Sequence, residues 1–190
     1  VDDVVIFVRF GELNGPLGRA GPRLVRSAGT PDENLTIAGL MEFEIAEFEP
    51  GGFFENEQQY NDVIVHEMGH VIGIGTLWAL TGNVDENYIP TNPPTVPPGL
   101  PNPAYDPGFT GPLALGEYNV LRTNKGLEES DTVPIANTGG PGNYNGHWRE
   151  FVFQNELMTP YAAGLEELSR MTAASLGDVG YTVNVDSDAV

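Results

Sequence analysis

Apolar and polar positions fall into three regimes along the chain. Val4 to Phe10 is a β-branched and aromatic run closed by Gly11, the pattern of a buried strand. Asn14 to Gly29 is broken repeatedly by glycine and proline and predicts loop. In Thr36 to Ile45, Met41, Phe43 and Ile45 alternate with Glu42 and Glu44, which predicts a half-exposed strand whose acids face water. After Pro50, Gly51 and Gly52 the period changes. Phe54 to Gly73 has acids early, no proline, apolar residues at Val63, Ile64, Met68, Val71 and Ile72, and a closing glycine, so a helix is expected.

Thr76 to Gly146 differs in kind. It holds eleven of the 16 prolines, PTNPPTVPPGLPNP being the extreme, and only one plausible helix, near Leu113 to Leu121. A connection of that length inside a compact domain is usually functional or disordered, so residues 76–146 read as an insertion. Leu168 to Leu176 predicts a closing helix with Ser169 as N-cap and Gly177 near its end.

Composition narrows the chemistry. With 190 residues and 40% apolar content the chain can bury one good core, so a single domain is expected. A formal charge of -19 repels nucleic acid and anionic membrane surfaces. No apolar run approaches the roughly 20 residues that span a bilayer, and the start, VDDVVIFVRF, lacks the basic n-region of a signal peptide. Cysteine is absent, which excludes disulfides and thiolate sites; any transition metal must be held by His, Asp or Glu.

One stretch supplies such ligands: VIVHEMGHVIGIGTLW, Val63 to Trp78. On a helix His66 and His70 lie on one face, roughly 6 Å apart along the axis, and can turn both imidazoles to one metal ion. Glu67 is rotated about 100° from His66, too far round to share the ion but able to reach a water on it, as a general base must. Two ordinary surface histidines would explain the pair too, yet three histidines and this many glutamates produce H-E-x-x-H by chance only on the order of a few times in a thousand.

A catalytic zinc site takes three protein ligands and keeps one position open. Some zinc peptidases use a later glutamate; others bend the chain at a glycine and use a histidine six residues past the second one. Here Gly73 stands at the bend, but the sixth position is Thr76, a poor ligand. The remaining histidine is His147, in GGPGNYNGHWRE, with Glu117 and Asp85 as carboxylate alternatives. Met158, eleven residues further on, is either an apolar floor beneath the imidazoles or a plain core residue.

Together these residues resemble the leishmanolysin-like branch of the metzincin zinc metallopeptidases, marked by HExxHxxG, a long insertion, a histidine in a GHW-type sequence and a methionine turn in ELM. The counterparts are His66 to His70 with Gly73, residues 76–146, Gly146-His147-Trp148, and Glu156-Leu157-Met158, with SRMTAASLGDVGY similar to the family's last helix. The resemblance implies a zinc endopeptidase in which His66, His70 and His147 hold Zn2+, Glu67 is the general base, and Met158 lies under the metal. It implies an α+β, metzincin-like zincin fold. The upper lobe (1–75) would carry a twisted mixed sheet and the active-site helix, and the irregular lower lobe (147–190) the Met-turn and a C-terminal helix. By the same likeness TIAGLMEFEI would border the cleft and pair with a peptide or protein substrate. The absence of cysteine fits a bacterial relative, and a secreted monomer is expected.

Two weaker signals remain. Asn83 to Asn87 opens like a calcium loop without its glycine or distal glutamate, which favours a solvated loop, although so acidic a chain leaves room for calcium elsewhere. Asp178 could orient a ligand histidine or serve a helix-terminal turn. An alternative function is a non-catalytic, zinc-stabilised domain of a larger secreted or surface protein.

Overall fold

A computed structural model describes residues 3–54, 56–85, 106–139, 142–162 and 166–185. These form a mixed α+β architecture in which a three-stranded sheet lies on one side of a long helix and a helical, largely irregular region on the other.

The sheet is built from β1 (Val5–Gly11), β2 (Gly18–Val25) and β3 (Thr36–Glu44), in the order β1-β3-β2. β1 runs parallel to β3 and β2 antiparallel. β3 is therefore central, not the strand beside the cleft. Its Met41 and Phe43 meet Val63 and Val71 of the helix, together with Phe54, in a small core. The predicted loop over 14–29 contains β2 instead; Gly18, Gly21 and Pro22 weaken its strand signal without preventing pairing. The expected burial of β1 is also corrected. As an edge strand it is incompletely covered on both faces, which leaves Phe7 61% and, on the opposite face, Val8 54% exposed. Glu42, expected in water, is only 4% exposed. Register explains why: Arg9 and Arg19 stand opposite it on the two flanking strands and close over its carboxylate, with Arg23 at 3.7 Å. Those hydrogen bonds, Arg19 first and then Arg9, hold the Glu42 carboxyl below its ordinary range.

Helix α1 (Glu57–Ile72) starts at Asn56, whose side chain accepts from the Gln59 amide at 3.1 Å, and ends at Gly73, in a left-handed conformation with φ 122°. On its far side come β4 (Gly108–Phe109), α2 (Pro112–Asn124), β5 (Val133–Pro134), the single turn α3 (Glu150–Phe153) and α4 (Arg170–Val179). The predicted helices near 113–121 and 168–176 are thus present, with Ser169 capping α4 by accepting from the Thr172 amide at 3.1 Å. The proline-rich PTNPPTVPPGLPNP falls outside the described residues. What is described of the insertion is no loose appendage, because Phe109, Val133 and Ile135 are fully buried in the larger core with Trp78, Trp148 and Met158.

Asp178 orients no histidine. Its carboxylate accepts from the Leu113 and Ala114 amides, both at 2.9 Å, and so satisfies the free donors at the start of α2. Asn83 to Asp85 is no solvated loop either: Val84 bridges to Phe109, and the Asp85 amide donates to the Gly108 carbonyl at 3.1 Å. Glu86 and Asn87 lie outside the described residues. No described helix is long and apolar enough to cross a membrane.

Candidate metal centre

Helical spacing places the Nε2 atoms of His66 and His70 3.0 Å apart. The Nε2 of His147 completes the triangle at 3.2 and 3.0 Å from them. Among the described residues this is the only group of three or more such side chains close enough to share an ion. Glu117 is instead paired with Arg170 at 3.0 Å, and the Asp85 backbone is tied to Gly108.

The second nitrogen of each ring decides what the triangle can do. His66 Nδ1 lies 2.6 Å from the Leu157 carbonyl, His70 Nδ1 2.9 Å from the Ile74 carbonyl, and His147 Nδ1 3.4 Å from the Asn143 carbonyl. A carbonyl can only accept, so each Nδ1 carries the proton and donates it. Each Nε2 is then a bare lone pair. Three lone pairs aimed at one point repel unless a cation stands between them. Zinc bonds of about 2.05 Å at tetrahedral angles would hold their nitrogens about 3.3 Å apart, close to the triangle observed. The donor set of three imidazoles with no thiolate therefore fits a borderline metal ion with one position left open. Burial keeps the rings neutral: it lowers His66, pushes His70 down to about 3 and takes His147 well below the ordinary value, the neighbouring imidazoles adding to the effect at His70 and His147.

Glu67 leaves the same helix turn toward β2. Its Oε1 passes so close to Gly18 that a Cβ there would lie 2.6 Å away. It is 4% exposed, and its Oε2 has no hydrogen-bond partner among the described residues. Desolvation pushes its pKa up to about 8.

His147 is delivered by the residues around it. At Gly75, with φ 74°, a Cβ would fall on the carbonyl of Gly146, so the turn after α1 and the loop before His147 touch backbone to backbone. Immediately after His147, the wholly buried Trp148 packs 4.5 Å from Trp78 and 5.5 Å from Phe109. Arg149 then donates to the Ile135 and Pro107 carbonyls, each at 3.0 Å, and pairs with Asp106 at 2.5 Å. Met158 lies beneath the helix; a Cβ on Gly69 would come within 2.8 Å of its sulfur. Thr76, where the short motif would need a ligand, donates its hydroxyl to the His70 carbonyl at 2.6 Å and so caps the bend.

The centre opens into a cleft of about 600 Å³, lined among others by Leu17, Gly18, Ala20, Thr76 and Tyr161. β2 is its wall. The Glu44 amide donates to the Leu17 carbonyl at 2.9 Å, so antiparallel alternation turns the N–H and C=O groups of Gly18 and Ala20 away from β3. Pro22 falls in the same outward series, where its missing donor disrupts no pair. The periodicity of the sequence missed this wall because glycine and proline conceal it. Nor could it single out the Leu157 carbonyl, since an orienting backbone oxygen carries no residue signature. No protein-family model matches the chain, and no curated protein is significantly similar to it.

Proposed function

We propose that the chain is a zinc-dependent endopeptidase of the leishmanolysin-like metzincin type, acting outside the cell on peptide or protein substrates. The observation that carries this reading is the convergence of three unprotonated Nε2 atoms beside a desolvated Glu67 carboxyl, its Oε2 without a partner among the described residues, at the floor of an open cleft. Zinc held by His66, His70 and His147 would polarise a substrate carbonyl and make a water acidic enough to attack near neutral pH. Glu67 would serve as the general base, accepting a proton from the attacking water and delivering it to the leaving amine; burial already raises its pKa above the ordinary carboxyl value. The outward N–H and C=O groups of Gly18 and Ala20 offer an extended peptide one strand edge on which to pair, so β2 takes the part that the likeness alone assigned to TIAGLMEFEI. The bend at Gly73, the distant ligand His147 and Met158 under the helix support the metzincin-like zincin fold and the family assignment.

Glu67→Ala is expected to keep one equivalent of zinc while peptide cleavage falls by about 10²- to 10⁴-fold, the usual contribution of a general base. Undiminished cleavage by that variant refutes the mechanism. Zinc binding by the wild-type protein with no hydrolysis of casein or mixed peptides would assign it instead to the non-catalytic, zinc-stabilised class.

A further inference from the structure

Glu156 is a buried carboxylate that the hydrolytic chemistry does not use. It is 6% exposed and sits in the lower core, away from the cleft floor. Its two oxygens accept from every side. The Met158 amide donates to Oε2 at 2.6 Å. The Ser169 hydroxyl donates to Oε1 at 2.8 Å and the Ser169 amide at 3.3 Å, and the Thr172 hydroxyl makes a short bond to the same oxygen. Thr172 in turn accepts from the Trp148 indole N–H at 2.6 Å. The donor order runs one way, from Trp148 through Thr172 to Glu156, and ends on a group that only accepts when ionised.

The two ends of this network lie next to the metal centre. Met158 follows Leu157, whose carbonyl orients His66, and Trp148 follows His147. The Trp148 amide also donates to the Met158 carbonyl at 3.0 Å, closing the circuit. Glu156 thus holds both chain segments that shape the ligand set, and it ties them to the first turn of α4. A buried polar network of this kind is stabilising only when every member is satisfied.

We propose that Glu156, acting through Met158 and through Thr172 to Trp148, is a positioning residue for the metal centre, setting the His66 partner carbonyl and the placement of His147. This inference rests on the zinc reading above. Glu156→Gln keeps the volume but replaces one acceptor oxygen with an NH₂ donor that must face an existing donor. Thr172→Val removes the hydroxyl that joins Trp148 to Glu156, with the contact it accepts from the Ser169 hydroxyl at 3.2 Å, and leaves the bond from the Met158 amide in place.

The test uses the full chain, with Zn2+ and Co2+ as probes. Circular dichroism first identifies which variants are folded. Glu156→Gln is expected to bind Zn2+ at least about 10-fold more weakly, the usual cost of losing an outer partner of a ligand. Its bound Co2+ should give an altered visible spectrum, and Thr172→Val should change in the same direction by less. Where the protein cleaves peptide, kcat at saturating zinc falls and KM holds. Folded variants with wild-type Zn2+ affinity and Co2+ spectrum overturn the proposal; should Glu156→Gln fail to fold, Thr172→Val alone decides it by the same criteria. A wild-type protein that binds no Zn2+ overturns the zinc reading instead, and a metal-binding protein without peptidase activity leaves Glu156 to be judged on affinity and spectrum.

Discussion

The two sides of helix α1 are built to different standards. On the sheet side, Met41, Phe43, Phe54, Val63 and Val71 form a small core beneath strands whose outer positions stay largely in solvent, Phe7 among them. On the other side, Trp78, Phe109, Ile135, Trp148 and Met158 are closed off completely. The candidate metal centre sits on the seam and draws unequally on the two. The sheet side contributes the cleft wall at Gly18 and Ala20, which needs only exposed backbone. The better-packed side contributes His147 and the carbonyl that orients His66, where a small misplacement would break coordination. Precision is thus taken from the dry core and access from the thin sheet.

This contrast can be broken most severely at Trp148. Trp148→Ala should cost about 3–5 kcal/mol of stability through the cavity it leaves. Loss of measurable zinc binding should accompany it, read by denaturant titration and metal analysis. Gly75→Ala should follow at about 1–3 kcal/mol, because φ 74° strains any side chain and the new Cβ meets the Gly146 carbonyl. Its zinc affinity should fall further than its melting temperature suggests, since the displaced loop carries His147; equal affinity would show that the loop is not held by this contact.

The third comparison is electrostatic. Burial leaves the three histidines neutral at pH 7, whereas Glu67, beside His66 on α1 and turned toward β2, keeps its proton up to about 8 in the metal-free protein. A cation nearby lowers that pKa, so zinc binding releases a proton below pH 8 and affinity rises with pH toward that value. Calorimetry at pH 7 in buffers of different ionisation enthalpy should detect this proton, and Glu67→Gln should abolish it. The smallest effect belongs to the outer sheet. Phe7→Thr should change stability by no more than about 0.5 kcal/mol, being a surface substitution that puts a β-branched residue of good strand propensity in place of the aromatic one. A loss as large as that of Trp148→Ala would show that the sheet face is not the tolerant side.

Much of the centre was legible because helical spacing is local. H-E-x-x-H places two imidazoles on one face and the carboxylate beside them whatever the rest of the chain does, and the absence of cysteine left His147 as the one histidine still available. The strands were harder to read. Val4 to Phe10 has the composition of a buried strand, yet burial depends on what lies across from it, and at this sheet edge neither face is fully covered. The stretch holding β2 reads as loop because its glycines and Pro22 carry no periodic signal, and they are tolerated because they occupy an edge.

By itself, then, the sequence determined the helix, its candidate ligand pair, the candidate base and the acidic, thiol-free character of the protein, all consequences of residue type and short-range spacing. Tertiary structure decided the rest: which strand walls the cleft, that Glu42 lies beneath arginines, that Asp178 caps α2, and that three carbonyls fix the imidazole tautomers. Pairing, desolvation and the direction of a hydrogen bond depend on partners far away in the chain, and no local pattern encodes them.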